Sequence, residues 1–125
     1  MIIAVDFDGT VVKHEYPAVG ECVGAVEILK ELIRNGHILI LLTMRSDQYL
    51  EDAVNWFKER NISLYDVNNN PTQKDWTNSR KVYAHLYIDD AALGVPLKQD
   101  RGDDRAYVDW VEVRRLLVKR RILPF

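Results

Sequence analysis

The chain has 125 residues, a formal net charge of -2 and a hydrophobic fraction of 47%. This length fits a single domain, residues 1–125, with room for a real core, and the near-neutral charge excludes an electrostatic bias toward nucleic acid or acidic membranes. No stretch approaches the ~20 apolar residues of a membrane span, and the N-terminus does not resemble a signal peptide. The one cysteine, Cys22, cannot form an internal disulfide, which favours a reducing, cytoplasmic setting.

Apolar periodicity predicts strands and helices that alternate along the chain. The predicted elements are a strand at 1–6, a loop or short hairpin at 9–20, a helix from about Cys22 to Asn35, a strand at His37–Thr43, a helix from Ser46 or Asp47 to Arg60-Asn61, a strand at Ile62–Val67, a loop at Asn68–Pro71, a strand at Val82–Asp89 and a helix at Asp109–Arg121 with Val111, Val113, Leu116 and Leu117 inward. The all-apolar second strand is typical of a central parallel strand. The alternation predicts an α/β fold with a doubly wound, mainly parallel sheet covered on both faces.

Three of the predicted strands end in polar residues. Asp6 and Asp8 follow the first strand, Thr43 ends the second, and Asp89 with Asp90 ends the last. Open α/β sheets bind ligands beyond the carboxyl ends of their strands, where the strand order reverses, so we expect these residues to share one edge of the molecule. Alternate residues of an extended chain project to the same side. The first pair of aspartates could therefore supply a nucleophile, a general acid/base and oxygen ligands for a hard cation.

The segment Asp6-Phe7-Asp8-Gly9-Thr10 resembles the first motif of the haloacid dehalogenase superfamily. Leu41-Leu42-Thr43 resembles the second motif, a hydrophobic strand that ends in threonine or serine. Lys81 resembles the lysine of the third motif, and Tyr87-Ile88-Asp89-Asp90 resembles the acidic fourth motif. The motifs come in the family's order and span most of the chain. The resemblance implies the Rossmann-like fold of that superfamily.

The resemblance also implies a role for each matched residue. Asp6 would be the nucleophile that attacks phosphorus and forms an aspartyl-phosphate. Asp8 would protonate the leaving oxygen and then deprotonate the hydrolytic water; an acid at this position is similar to the family's phosphatases and phosphomutases. Thr43, together with the adjacent Met44, would bind the phosphoryl group near the start of a helix. Lys81 would neutralise charge on that group.

A Mg2+ cofactor follows from the same resemblance. Asp6, Asp89 and the backbone carbonyl of Asp8 would hold the cation, since Mg2+ prefers a few protein oxygens together with water and phosphate. Asp90 would bind through water or orient the lysine of the third motif, and the sequence leaves both open. The cation would also offset the repulsion between carboxylate and phosphate.

Other choices stay open at this point. Lys74 competes with Lys81 for the cationic role. Arg45 follows Thr43 closely and either contacts substrate or faces solvent. The last predicted helix carries the basic residues Arg114-Arg115 and Lys119–Arg121. They form either its solvent-exposed face or a surface for a phosphate-rich partner.

The chain is too short between its motifs for the cap domain that many members of the superfamily carry. Only a loop follows the first motif, and residues 44–80 hold just a predicted helix, a strand and a loop. We therefore expect a capless member with an open site, screened by the segment Val11–Gly20. Residues 13–16 of that segment could touch the leaving group.

Together these observations predict a Mg2+-dependent phosphatase that hydrolyses a phosphomonoester through an aspartyl-phosphate. Its substrate would be a small molecule or a macromolecule, and a homo-oligomer in which another subunit supplies the lid would suit the open site. A phosphomutase-like phosphotransferase is the first alternative, disfavoured because an open site admits water. A non-catalytic phosphate-sensing or scaffold protein of the same fold is the second, and it would require the loss of a key group.

Overall fold

The computed structural model describes residues 1–125. The main strands are β1 (Ile2–Asp6), β2 (Ile38–Leu42), β3 (Asp66–Val67) and β4 (Leu86–Ile88), and a separate antiparallel pair joins β5 (Leu97–Lys98) to β6 (Tyr107–Val108). The helices are α1 (Val26–Arg34), α2 (Asp47–Glu59) and α3 (Trp110–Lys119), with a 3-10 turn at Gln73–Asp75. The four main strands form a parallel sheet in the order β3-β2-β1-β4. The predicted α/β fold with a mainly parallel sheet is confirmed. No helix combines the length and the apolar character needed to cross a bilayer.

The three helices pack on one face of the sheet. Ile3 and Val5 of β1 and Leu39 and Leu41 of β2 point to this face, and they join one buried cluster with side chains from every helix. The chain moves in one direction across the sheet from β1 to β3, through α1 and then α2. Since such crossovers are almost always right-handed, both helices are expected on the same side.

The opposite face is crossed by residues 68–85, which run from β3 at one edge of the sheet to β4 at the other. Ala4 and Ile40 lie on this face and are fully buried. Asn70 and Gln73 of the crossing segment are also buried, and their amide groups donate to backbone carbonyls within the same segment. The sheet is therefore covered on both faces, but only one of the two covers is helical, so the predicted doubly wound arrangement is not confirmed.

The start of α1 differs from the prediction. The helix begins at Val26 rather than near Cys22. The amide of Val23 donates to the carbonyl of Val11 at 3.2 Å, and Cys22 forms an antiparallel bridge with Val12. Gly24 follows with a φ of 95°, which no helical residue adopts. These pairings hold the segment against the preceding loop, and Cys22 itself is exposed.

Two other predicted elements change in detail. The third strand forms only at β3, because the amide of Ile62 donates to the carbonyl of Phe57 and still belongs to the end of α2. In α3, Val111 is 75% exposed, so its predicted inward orientation is wrong. The fully buried positions of α3 are Trp110, Val113 and Leu117.

Candidate functional site

The carboxyl ends of β1 and β4 bring three carboxylates together. Val5 lies beside Ile88 in the parallel register, so the residues that follow them, Asp6 and Asp89, are neighbours across the sheet. Oxygens of Asp6, Asp89 and Asp90 all lie within 4.8 Å of one another. The strand order reverses between β1 and β4, which is where open α/β sheets bind ligands. We call these three residues the acidic cluster.

Thr10 and His14 hold the acidic cluster in position. The Thr10 hydroxyl donates to Oδ2 of Asp6 at 2.8 Å and accepts from the backbone amide of Asp90 at 3.1 Å. Nε2 of His14 lies 2.9 Å from Oδ2 of Asp90. The sequence motif Asp6–Thr10 predicts no role for the Thr10 hydroxyl, and the sequence places His14 only near the leaving group. Both contacts bridge residues that are 80 and 76 positions apart, so no local pattern reveals them.

Gly9 allows the loop to pass close to these side chains. Its φ is 83°, a conformation that residues with a Cβ rarely adopt. A Cβ at this position would lie 2.0 Å from Nε2 of His14 and 2.6 Å from Oδ2 of Asp90. Any other residue would therefore strain the backbone and push the His14–Asp90 contact apart.

Asp6 has an unusual protonation equilibrium. Burial raises the pKa of Asp6 to about 8, and the hydrogen bond with Asp90 and the charges of Asp89 and Asp90 act in the same direction. The hydrogen bond from Thr10 opposes this shift by favouring the ionised form. The protein's own charges therefore do not stabilise the Asp6 carboxylate.

The acidic cluster has the donor set of a site for a hard divalent cation. Every candidate ligand atom in it is a carboxylate oxygen, which Mg2+ and Ca2+ prefer. No lysine or arginine forms an ion pair with Asp6 or Asp89, and the only basic side chain paired with Asp90 is His14. Because three carboxylates so close together repel one another, a bound cation would offset a charge imbalance that the protein itself leaves in place.

Asp8 lies apart from the acidic cluster and pairs with Arg45. Nε and Nη2 of Arg45 donate to the two oxygens of Asp8 at 2.8 and 2.7 Å. The Arg45 side chain is 1% exposed and that of Asp8 is 19% exposed. The hydrogen bonds with Asp8 raise the pKa of Arg45, so the guanidinium stays charged. Neither sequence interpretation of Arg45, substrate contact or solvent exposure, fits this buried position.

Thr43 follows β2 at the same edge of the sheet. Its Oγ1 accepts a hydrogen bond from the Arg45 amide at 3.1 Å, and its backbone exchanges two bonds with the side chain of Asn68. The side chain of Met44 is 99% exposed. A thioether donates no hydrogen bond, so Met44 could bind phosphate only through its backbone amide, and the roles of both residues stay predictions.

Neither candidate lysine contacts the acidic cluster. Nζ of Lys81 lies 5.6 Å from the centre of the Tyr87 ring, and Tyr87 donates through its hydroxyl to the carbonyl of Val82. The chain before β4 thus folds back over Tyr87 instead of running straight to the site. Lys74 contributes, after hydrogen bonds from Asn69 and the Val67 amide, to the lowered pKa of Asp66. In this structure the Lys81 side chain lies against Tyr87, and its predicted role at the carboxyl edge stays a prediction.

The basic residues of α3 are partly neutralised by carboxylates. Arg114 donates to both carboxylate oxygens of Glu31 on α1, and Arg115 pairs with Glu112 one turn away. Residues 119–121 remain exposed. Arg114 is thus a bridge between two helices rather than part of a free basic surface.

No separate folded unit covers the acidic cluster. Residues 44–80 form α2, β3 and the 3-10 turn, all of them built onto the sheet. The segment Val11–Gly20 is a loop that borders the site through His14. A polar hollow of about 550 Å³ opens beside it and is lined in part by Lys13, His14 and Arg105.

The chain is similar to a solved structure of a conserved protein from Bacteroides thetaiotaomicron. The two share 36% sequence identity and superpose with a TM-score of 0.78, and the match covers 97% of this chain and 91% of the other. The chain belongs to the same family as that Bacteroides protein. No protein-family model and no curated protein sequence matches the chain. The similarity therefore shows the family and its fold, and the chemistry has to be argued from the site.

Proposed function

We propose that the protein is a Mg2+-dependent phosphatase of the haloacid dehalogenase type, working in the cytoplasm on a phosphomonoester. The observation that supports this proposal most is the acidic cluster, which gathers carboxylates at the strand-order reversal without a lysine or arginine partner. The order of the four motifs along the chain and the absence of a covering domain agree with a capless member of that superfamily.

In the proposed reaction, Asp6, Asp89 and Asp90, with the Asp8 carbonyl, would hold Mg2+. The cation would supply charge neutralisation for the carboxylates and the phosphoryl group. An Asp6 oxygen forms a bond to phosphorus while the bond from phosphorus to the leaving oxygen breaks. The leaving oxygen takes a proton from Asp8, and Asp8 then takes a proton from the water that hydrolyses the aspartyl-phosphate.

Thr43 and a lysine complete the proposed site. The Thr43 hydroxyl keeps its own proton available, because its oxygen accepts from the Arg45 amide, so it can donate to a phosphoryl oxygen. Lys81 would have to move away from Tyr87 to reach that group. Comparing Lys81→Ala with Lys74→Ala in the same assay decides which lysine acts.

The test is turnover of a panel of phosphomonoesters by the purified protein, first with EDTA and then with Mg2+ restored. We expect hydrolysis only with Mg2+ and a phosphorylated Asp6 after acid quench of the wild-type protein. Turnover that persists in EDTA contradicts the metal role. Label on any residue other than Asp6 contradicts the assignment of the nucleophile.

A phosphate-sensing protein is the second candidate. It is favoured by two observations: Asp8 is already engaged by Arg45, and both lysines lie away from the acidic cluster. This candidate predicts binding of inorganic phosphate in the presence of Mg2+, measured by calorimetry, with no turnover of any phosphomonoester. Phosphoryl transfer to an added sugar phosphate instead of water would indicate the phosphomutase-like alternative.

A further inference from the structure

Arg45 uses all of its hydrogen-bonding capacity inside the protein. Besides its two bonds to Asp8, it donates to the backbone carbonyls of Pro17, Ala18 and Tyr49 at 3.1, 2.8 and 3.3 Å. A guanidinium offers five N–H donors, and each donor finds an acceptor here. Arg45 is therefore not available to bind a substrate, and its function must be exerted through the groups that it holds.

The groups held by Arg45 belong to different parts of the proposed site. Asp8 follows β1, the carbonyls of residues 17 and 18 belong to the bordering loop Val11–Gly20, and Tyr49 lies on the first turn of α2. The guanidinium also lies 5.0 Å from the centre of the Phe7 ring and 5.1 Å from that of Tyr16. The planar guanidinium, held near these two rings, makes two parallel hydrogen bonds to Asp8. It therefore fixes the orientation of the Asp8 carboxylate and also compensates its charge.

We infer that Arg45 is the positioning residue of the Asp8 carboxylate, and that through the bordering loop it fixes where Asp8 meets the leaving group. The inference rests on the proposed phosphatase function. When Asp8 carries the proton, the protonated oxygen gives up its bond to Arg45 and donates to the leaving oxygen. The other oxygen stays hydrogen-bonded to the guanidinium and keeps the carboxyl group oriented toward the leaving oxygen.

This role predicts a dependence on the leaving group. An alkyl phosphate releases a strongly basic oxygen and needs the proton from Asp8, whereas a nitrophenyl phosphate releases a weakly basic oxygen and needs it far less. A variant that misplaces Asp8 should therefore lose more activity toward the alkyl than toward the nitrophenyl substrate. A residue that only stabilises the fold would lower both activities by the same factor.

Arg45→Lys keeps the positive charge but cannot reproduce the bidentate pair of hydrogen bonds to Asp8. Arg114→Lys is a matched control, because Arg114 holds Glu31 with the same two donor atoms at 2.9 and 2.7 Å but lies on α3. We expect Arg45→Lys to lower the ratio of alkyl to nitrophenyl kcat/KM by about tenfold or more, mainly through kcat, since the lost interaction acts in the transition state. Arg114→Lys should leave the ratio unchanged.

A double substitution separates positioning from general damage. On the Asp8→Asn background, Arg45→Lys should not lower the ratio further, because the group that it positions is gone. Mg2+-dependent thermal stabilisation of each variant reports whether the acidic cluster still forms. The inference is wrong if Arg45→Lys is folded and binds Mg2+ but lowers both activities equally. It is also wrong if the effects of the two substitutions on the ratio multiply in the double variant. If the wild-type protein turns over neither substrate, the proposed function fails first and the inference fails with it.

Discussion

Asp6 and Asp8 are separated by a single residue, yet their surroundings are opposite. Asp6 lies among carboxylates, has no lysine or arginine partner, and has a pKa raised to about 8. Asp8 has both oxygens bound by a buried guanidinium. The charge of Asp6 is thus left for a bound cation to compensate, whereas the charge of Asp8 is compensated by Arg45. The contrast shows how one extended segment can prepare two identical side chains for different chemistry.

The largest expected effect comes from removing the less stabilised of the two aspartates. Asp6→Asn should abolish aspartyl-phosphate formation and lower kcat by about 10,000-fold or more, in line with the removal of other nucleophiles. Asp8→Asn should lower kcat by roughly 100- to 10,000-fold, because it removes acid/base catalysis but leaves the nucleophile. Single-turnover assays with a radiolabelled substrate check both values. A larger loss for Asp8→Asn would reverse the assignment of roles.

Asp8, which is paired with Arg45, should contribute more to the free energy of unfolding than Asp6. Arg45→Met removes the partner of Asp8 from a buried position and should cost about 3–5 kcal/mol of the free energy of unfolding. The control Arg114→Met breaks a pair whose arginine is 38% exposed, so it should cost about 1 kcal/mol or less. Urea denaturation of both variants provides the comparison. Equal costs would show that burial of the Asp8–Arg45 pair has no special consequence.

The smallest effect per step is the change of stability with each pH unit, and it tests the Asp6 side of the comparison. Its folded-state pKa, about 8, lies above the ordinary aspartate value of 3.8, so between these two pH values the folded protein holds a proton that the unfolded chain releases. The free energy of unfolding should therefore fall as pH rises from about 4 to about 8, by at most ~1.4 kcal/mol per pH unit. Denaturation in EDTA measures this slope. It should flatten in Asp6→Asn and with saturating Mg2+, and an unchanged slope in Asp6→Asn would assign the pH dependence to another group.

Much of the fold and the core of the site could be predicted because the relevant signals are local. The apolar runs at β1 and β2 and the carboxylates that follow β1 and β4 are visible in the sequence, and the rule for parallel sheets places their ends together. The partner of Asp8 could not be predicted, since Arg45 lies 37 positions away and is brought beside Asp8 by the pairing of β1 with β2, which places Asp6 opposite Leu42. The position of the Lys81 side chain against Tyr87 could not be predicted either, because the pattern of a strand does not show how the chain that leads into it folds.

Two hydrogen bonds tie the loop after β1, which contains Gly9 and Thr10, to β6 and the start of α3. Nε1 of Trp110, at the start of α3, donates to the carbonyl of Thr10 at 2.6 Å across 100 positions of sequence. The amide of Val108 in β6 donates to the carbonyl of Gly9 at 3.0 Å. During synthesis Asp6 therefore emerges early, whereas Asp89, Asp90 and the two donors that support the loop emerge late. A chain that stops before Trp110 should bind Mg2+ more weakly than the 125-residue chain, so that metal binding reports whether these two donors are in place.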